Sequence, residues 1–281
     1  MQLGVCVRMT AMDDIAEKIH QASEHFTSCQ LVSWTPAIWT SENAKILREL
    51  LDFYHLHVSA FWCGWSGPAV WDFYHGPQTL GLLPEEYREQ RIQNLCDGAD
   101  FAKIMGVNDV ITHIGFIPEN PHDTQFLPMC EAVRTVATHL KKQGQNLLFE
   151  TGQETPVAML RCFETVDLDN LFVNLDTANL ILYGKANPVD ALDVLGRYVR
   201  NIHAKDGLYP TNAHGLGTET RLGDGKVDFH ALFTKLKALD YDRYVTIERE
   251  IDGDRQREDV LWAKSYLQTV IETVYGEGSV C

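Results

Sequence analysis

The feature that most constrains this chain is an alternation: short runs of apolar and β-branched residues take turns with longer amphipathic stretches, eight times along 281 residues. A short, almost wholly apolar run suits a strand covered on both faces, and the longer stretches repeat their apolar residues at three- and four-residue steps, as a helix does. Strand and helix in strict alternation specify a parallel sheet with crossover helices. Eight such units, at about 35 residues each, fit an α/β protein built as a single (β/α)8 TIM barrel. The expected strands are Leu3 to Arg8, Gln30 to Trp34, Val58 to Trp62, Asp109 to Ile114, Asn146 to Glu150, Phe172 to Asp176, Val199 to His203 and Tyr244 to Glu248. The expected helices run from Met12 to Phe26, Ser41 to His55, Pro84 to Met105, Cys130 to Lys142, Pro156 to Phe163, Pro188 to Leu195, Asp228 to Leu239 and Arg255 to Val274. No Pro/Ser-rich linker divides the chain, so residues 1–281 read as one domain.

Two connections stand out. CGWSGPAVWDFYHGPQTLGLL after the third strand is long and aromatic, and KDGLYPTNAHGLGTETRLGDGK after the seventh is long and glycine-rich. Both leave the C-terminal ends of strands, where barrel enzymes keep their chemistry, and loops of this length are commonly functional. Composition narrows the partners: a formal net charge of −15 argues against broad attraction to nucleic acid or anionic lipid. Seven scattered cysteines, odd in number and without a CxxC pair, read as reduced thiols of a cytoplasmic protein. The N-terminal residues lack a basic segment followed by an apolar one, and no membrane-length apolar run occurs, so neither export nor membrane insertion is expected. No GxGxxG or P-loop turn implies a nucleotide cofactor.

Four strand-end residues carry the chemistry: Glu150 in LLFETG, Asp176 in VNLDTANL, His203 in RNIHAKDG and Glu248 in VTIEREI. Each closes an apolar run in successive units, and a ring of strand ends can aim all of them at one centre. Carboxylates so placed repel one another or hold protons unless a cation neutralises them. One divalent ion of hard or borderline character, Mn2+, Mg2+, Co2+ or Zn2+, accounts for the set and leaves positions for water and substrate. A lone strand-end acid more often caps a helix or pairs with an arginine; the phasing of the whole set carries the reading. Glu250 shares a face with Glu248, and Glu248 is preferred because it directly ends YVTI. Trp65 and Trp71, with Trp34 and Phe73, are expected to wall a ligand pocket, since aromatic faces suit C–H-rich surfaces. Trp62 reads as core packing.

In order along nearly the whole chain, LFETG, NLDTAN, IHAKD, RLGDGKVDF and TIERE resemble the xylose-isomerase-like barrel superfamily, the group of sugar phosphate isomerases and epimerases and of abasic endonucleases. The resemblance implies Glu150, Asp176, His203 and Glu248 as ligands of one divalent metal, Mn2+ foremost. From the ketose 3-epimerase branch it also implies Glu150 and Glu248 as an acid/base pair. It further implies substrate contacts for His113 in ITHIG, for Lys205 two residues past His203, and for Arg221 before LGDG. A buried structural histidine, an ordinary surface lysine and a solvated loop charge are the respective alternatives. Many members carry a histidine three residues after the Asp of LDT; here it is Asn179, which can bond a substrate hydroxyl but is a poor transition-metal ligand. Abasic endonucleases also need an Asp-x-His pair in the loop after the seventh strand, where this chain has Asn212-Ala213-His214.

The expected function is therefore a divalent-metal-dependent isomerase or epimerase of a ketose or related polyol ketone, free or phosphorylated, working by proton transfer through a cis-enediolate. An inosose-type dehydratase using the same site is the alternative. A catalytically silent polyol-binding barrel and an abasic-site endonuclease are more distant. The expected partner is a small sugar or polyol, with no nucleic acid and no membrane; pairing of barrel helices into a homo-oligomer stays open.

Overall fold

In the computed structural model, which describes residues 1–280, parallel strands hydrogen-bond around a closed ring. They are β1 (Gln2–Arg8), β2 (Ser28–Ser33), β3 (His57–Cys63), β4 (Asp109–Thr112), β5 (Asn146–Glu150), β6 (Leu171–Asp176) and β7 (Val199–Ala204). After a separate antiparallel hairpin of β8 (Asp206–Leu208) and β9 (Thr218–Thr220), β10 (Tyr244–Ile247) closes the ring between β7 and β1. Every expected barrel strand is present, with ends displaced by no more than two residues.

The outer helices follow the amphipathic stretches because their first turns are pre-arranged. Thr40, Thr155, Asn187 and Asp228 each accept a hydrogen bond from a backbone N–H of the following helix. Pro156 and Pro188 begin two of these helices, where a missing N–H costs nothing. The helix expected from Cys130 starts earlier, at Phe126, because Pro128 falls within its first turn and is tolerated there.

Side chains alternate across each strand. One set, including Leu31, Phe61, Val110, Phe149 and Val173, packs outward against the helices. The inward set is apolar under β3 to β5, with Ala60, Trp62, Ile111 and Leu148. Beside these apolar residues is a polar network in which Asn201 Nδ2 donates to Ser59 Oγ (3.2 Å) and Thr246 Oγ1 donates to Asn201 Oδ1 (3.4 Å). This alternation fixes the site: with Asn201 inward, His203 and Lys205 are inward too, and with Thr246 inward so is Glu248. Register completes the placement, since Asp176 pairs with His203, His203 with Thr246, and Glu150 with Asn174.

Both long connections are ordered by buried charge. Arg91, fully buried on the helix Glu85–Ile104, donates to the carbonyls of Ser66, Pro68 and Gly81 and so ties down the aromatic loop after β3. The glycine-rich connection after β7 folds back as the β8–β9 hairpin. Beyond the hairpin, the Asp206 carboxylate accepts backbone N–H bonds from Gly223, Gly225 and Val227. The cysteines among the described residues are all free thiols. Among those residues no helix is long and apolar enough to cross a membrane.

Candidate metal centre and active site

At the C-terminal ends of β5, β6, β7 and β10, Glu150, Asp176, His203 and Glu248 each present one ligand atom, all within 4.8 Å of one another. His203 Nδ1 lies 3.5 Å from Glu150 Oε1, 3.7 Å from Asp176 Oδ2 and 3.4 Å from Glu248 Oε2. Nδ1 of His203 and Oδ2 of Asp176 are buried with no hydrogen-bond partner. Three carboxylates and an imidazole, two of whose ligand atoms have no other partner, are a donor set that suits a hard or borderline divalent cation, so the residues fit such an ion.

Burial and neighbouring charge together set the protonation of the cluster. Burial pushes the Asp176 carboxyl up to about 7 despite the pull of Lys205. Burial alone would lower His203, but the charges of Glu150, Cys6 and Glu248 hold its imidazole well above the ordinary range. Burial would raise Glu248, yet Lys205 and His203 keep it well below the usual carboxylate range. Lys205 is itself buried; its Nζ donates to Glu248 Oε2 (3.0 Å), Glu250 Oε2 (2.5 Å) and Asn179 Oδ1 (3.3 Å).

Two contacts on this cluster were not legible in the sequence. Gln30, inward on β2, accepts at Oε1 from His203 Nε2 (2.6 Å), which keeps a proton on Nε2 and turns Nδ1 towards the carboxylates. Cys6 Sγ lies 3.8 Å from the same Nε2. Glu150 is positioned by a short hydrogen bond from Trp62 Nε1 and by Asn179 Nδ2 (3.2 Å). Asn179 thus bridges Glu150 and Lys205. His113 Nε2 approaches Glu150 Oε1 at 3.4 Å, and its Nδ1 has no partner.

A cavity of ≈ 480 Å³ opens above the cluster; Trp34, Trp62, Trp71, His113, Glu150 and Glu248 are among the residues lining it. Trp62 packs in the inner apolar cluster as expected, and it also lines this wall and bonds Glu150. Trp65, expected in the wall, is buried behind it, edge-on to Trp34 (4.9 Å between centroids) and under the Arg91 guanidinium (5.2 Å). The reason is local: β3 carries Trp62 inward, and the chain then turns at Gly64, where a Cβ would lie 2.5 Å from the Trp34 ring. Arg221 does not reach the site. It pairs with Asp224 (3.1 Å) and stacks on Trp262 (4.3 Å), because the Asp206-centred loop turns it outward. Glu250 lines the cavity rather than joining the four-ligand cluster.

Beyond Glu150, the fully buried Glu154 has its carboxyl raised by burial to about 8. An unfolded glutamate ionises near 4.5, so between those values the unfolded chain releases a proton that the folded chain keeps. Stability from this group is complete below 4.5 and falls as pH rises towards 8, by up to roughly 1.4 kcal/mol per pH unit. Glu154→Gln is expected to flatten that slope and to be more stable than wild type at pH 8. Denaturant titrations from pH 5 to pH 8 check this; an unchanged slope contradicts it.

A closed parallel barrel with ionisable groups converging at its strand C-termini defines the class. Residues 19–266 match the family described as xylose isomerase-like TIM barrel, and the chain belongs to that family. It is 31% identical to a xylose isomerase domain protein from Planctomyces limnophilus, whose structure superposes with a TM-score of 0.89 over 98% of this chain and 99% of that one. A D-tagatose 3-epimerase-like protein superposes with a TM-score of 0.76 at 20% identity, covering 98% of each chain. An inosose dehydratase of Lacticaseibacillus casei is 22% identical over 264 residues, 82% of each protein.

Proposed function

We propose that the protein is a divalent-metal-dependent isomerase or epimerase of a ketose or related polyol ketone. The observation that carries this reading is the pair of glutamates, the buried Glu150 and the largely shielded Glu248, set 3.5 and 3.4 Å from one His203 nitrogen and lining the same cavity. Glu150, Asp176, His203 and Glu248 would hold the cation, Mn2+ foremost, which supplies positive charge to the substrate oxygens as an adjacent carbon loses its proton.

The chain's own groups divide the remaining work. Glu248, held in its carboxylate form by Lys205 and His203, is assigned as the proton acceptor. Glu150, oriented by Trp62 and Asn179, is the second carrier. Return of the proton to the opposite face of the same carbon inverts it; return to the neighbouring carbon isomerises the sugar. In this reading His113 and Asn179 would bond substrate hydroxyls, and the tryptophans would cover its C–H face. The similarity to an inosose dehydratase supports a second reading, in which the same proton removal is followed by loss of a β-hydroxyl.

NMR of Mn2+-loaded protein with free and phosphorylated ketoses in D2O separates these readings. Deuterium uptake at a carbon beside the carbonyl without loss of water supports the isomerase or epimerase, and loss of water supports the dehydratase. Absence of both across the panel refutes the proposal. Because Gln30 turns His203 Nδ1 towards the carboxylates, Gln30→Leu is expected to weaken Mn2+ binding by about 10- to 100-fold, measured by calorimetry on unliganded protein. Affinity equal to wild type would contradict the role assigned to Gln30.

A further inference from the structure

One wall of the cavity carries polar groups that the proton chemistry does not use. Gln153, three residues past Glu150, and Tyr183, just after the short helix Asn179–Leu182, both line the cavity. Gln153 is 1% exposed and Tyr183 4%. The Tyr183 hydroxyl faces the Gln153 side chain, and apart from each other the Gln153 amide and the Tyr183 hydroxyl have no hydrogen-bond partner. Between them and the metal-facing groups lies Gly152, where a Cβ would come within 3.2 Å of Asn179 Cβ, 3.6 Å of His113 Cε1 and 3.7 Å of Tyr183 Cδ2. The Tyr183 ring is held edge-on by Phe73 (6.1 Å) and Phe116 (5.8 Å), so its hydroxyl is fixed in place.

Unpartnered buried polar atoms carry a desolvation cost that apolar side chains of the same shape avoid. Their presence in a substrate-sized cavity is explained if a ligand completes their bonds. We propose that Gln153 and Tyr183 form a hydroxyl-binding subsite that grips the substrate remote from its reacting carbons and selects an uncharged hydroxyl over a phosphate. An amide and a phenol each donate and accept, which matches a hydroxyl, whereas a phosphate calls for cations. Three carboxylates, Glu150, Glu248 and Glu250, line the cavity; Arg8 is the cationic side chain in that lining, and it pairs with Glu250 at 3.3 Å. Glu154, next to Gln153, adds no positive charge. The inference rests on the proposed function only in taking the ligand to be a ketose or a related polyol ketone.

The test uses Gln153→Met and Tyr183→Phe, which keep side-chain volume, in Mn2+-loaded full-length protein. Binding of D-fructose, D-tagatose and D-psicose and of their 6-deoxy and 6-phosphate forms is followed by tryptophan fluorescence. Wild type is expected to bind its preferred free ketose about tenfold or more tightly than the 6-deoxy form, the scale of one or two lost hydrogen bonds, and to disfavour the phosphate. Both variants should lose that preference while melting at or above the wild-type temperature, because a polar group without a partner has been removed. Variants that keep the wild-type preference, tightest binding of a phosphate, or no saturable binding by wild type each overturn the subsite. Deuterium exchange on the same samples judges the reaction separately. Discrimination without exchange removes the proposed chemistry and leaves the subsite; exchange with undiminished discrimination in the variants does the reverse.

Discussion

Glu150→Gln and Glu248→Gln are each expected to lower kcat by about 10²- to 10⁴-fold at saturating Mn2+, the range a positioned acid or base contributes. The substitution keeps shape and one carbonyl oxygen, so Trp62 Nε1 can still donate to residue 150 and Lys205 Nζ to residue 248. What disappears is the ability to carry a proton. The two variants should therefore fail differently. Loss of the residue that removes the proton abolishes deuterium exchange, whereas loss of its partner leaves exchange from one face with no inverted product. Rapid-quench product analysis together with NMR in D2O reads both. Two variants that bind the metal and turn over at the wild-type rate would leave the glutamates without a chemical role.

Much of this site was readable because a strand's side-chain period is two. Once Asn201 is inward, His203 and Lys205 must follow, and the order of strand ends then places Glu150, Asp176, His203 and Glu248 around one point. The residues that were misread or missed lack such a rule. Trp62 and Trp65 are the same residue type three positions apart, and only the turn at Gly64 decides which faces the cavity. Gln30 is a neutral side chain within a short strand, and its contact with His203 spans 173 residues, beyond any local pattern. Arg221 was placed by its position before LGDG, but the loop's path is dictated by Asp206 gathering backbone N–H groups, a tertiary contact that spacing does not encode. Arg91 illustrates the same limit: it is the buried anchor of the aromatic loop, a tertiary role that its place on a charged helix does not encode.

Metal binding and the buried lysine are expected to be energetically coupled, and the coupling is measurable without turnover. A ligand that binds only the folded state stabilises it by about 4 kcal/mol at a thousandfold excess over Kd. For a chain of this size that is a rise in Tm of roughly 5–10 °C with saturating Mn2+. Lys205→Met removes the one ammonium bonded to Glu248 and lying 3.7 Å from Asp176, both carboxylates being largely shielded from water. Leaving buried charge without its partner typically costs about 3–5 kcal/mol. The exposed edge of Glu250, with 45% side-chain exposure, should contribute little to that loss. With Mn2+ present, the same carboxylates would face a divalent charge, so the destabilisation by Lys205→Met should shrink well below its metal-free value. Asp176→Asn, which lacks a full ligand charge, should lose most of the Mn2+-induced rise in Tm while keeping the fold. Thermal melts of the three proteins with and without Mn2+ decide the matter. A wild-type Tm indifferent to Mn2+, or a lysine penalty unchanged by it, would mean that these carboxylates are balanced by Lys205 and His203 alone and that no cation belongs among them.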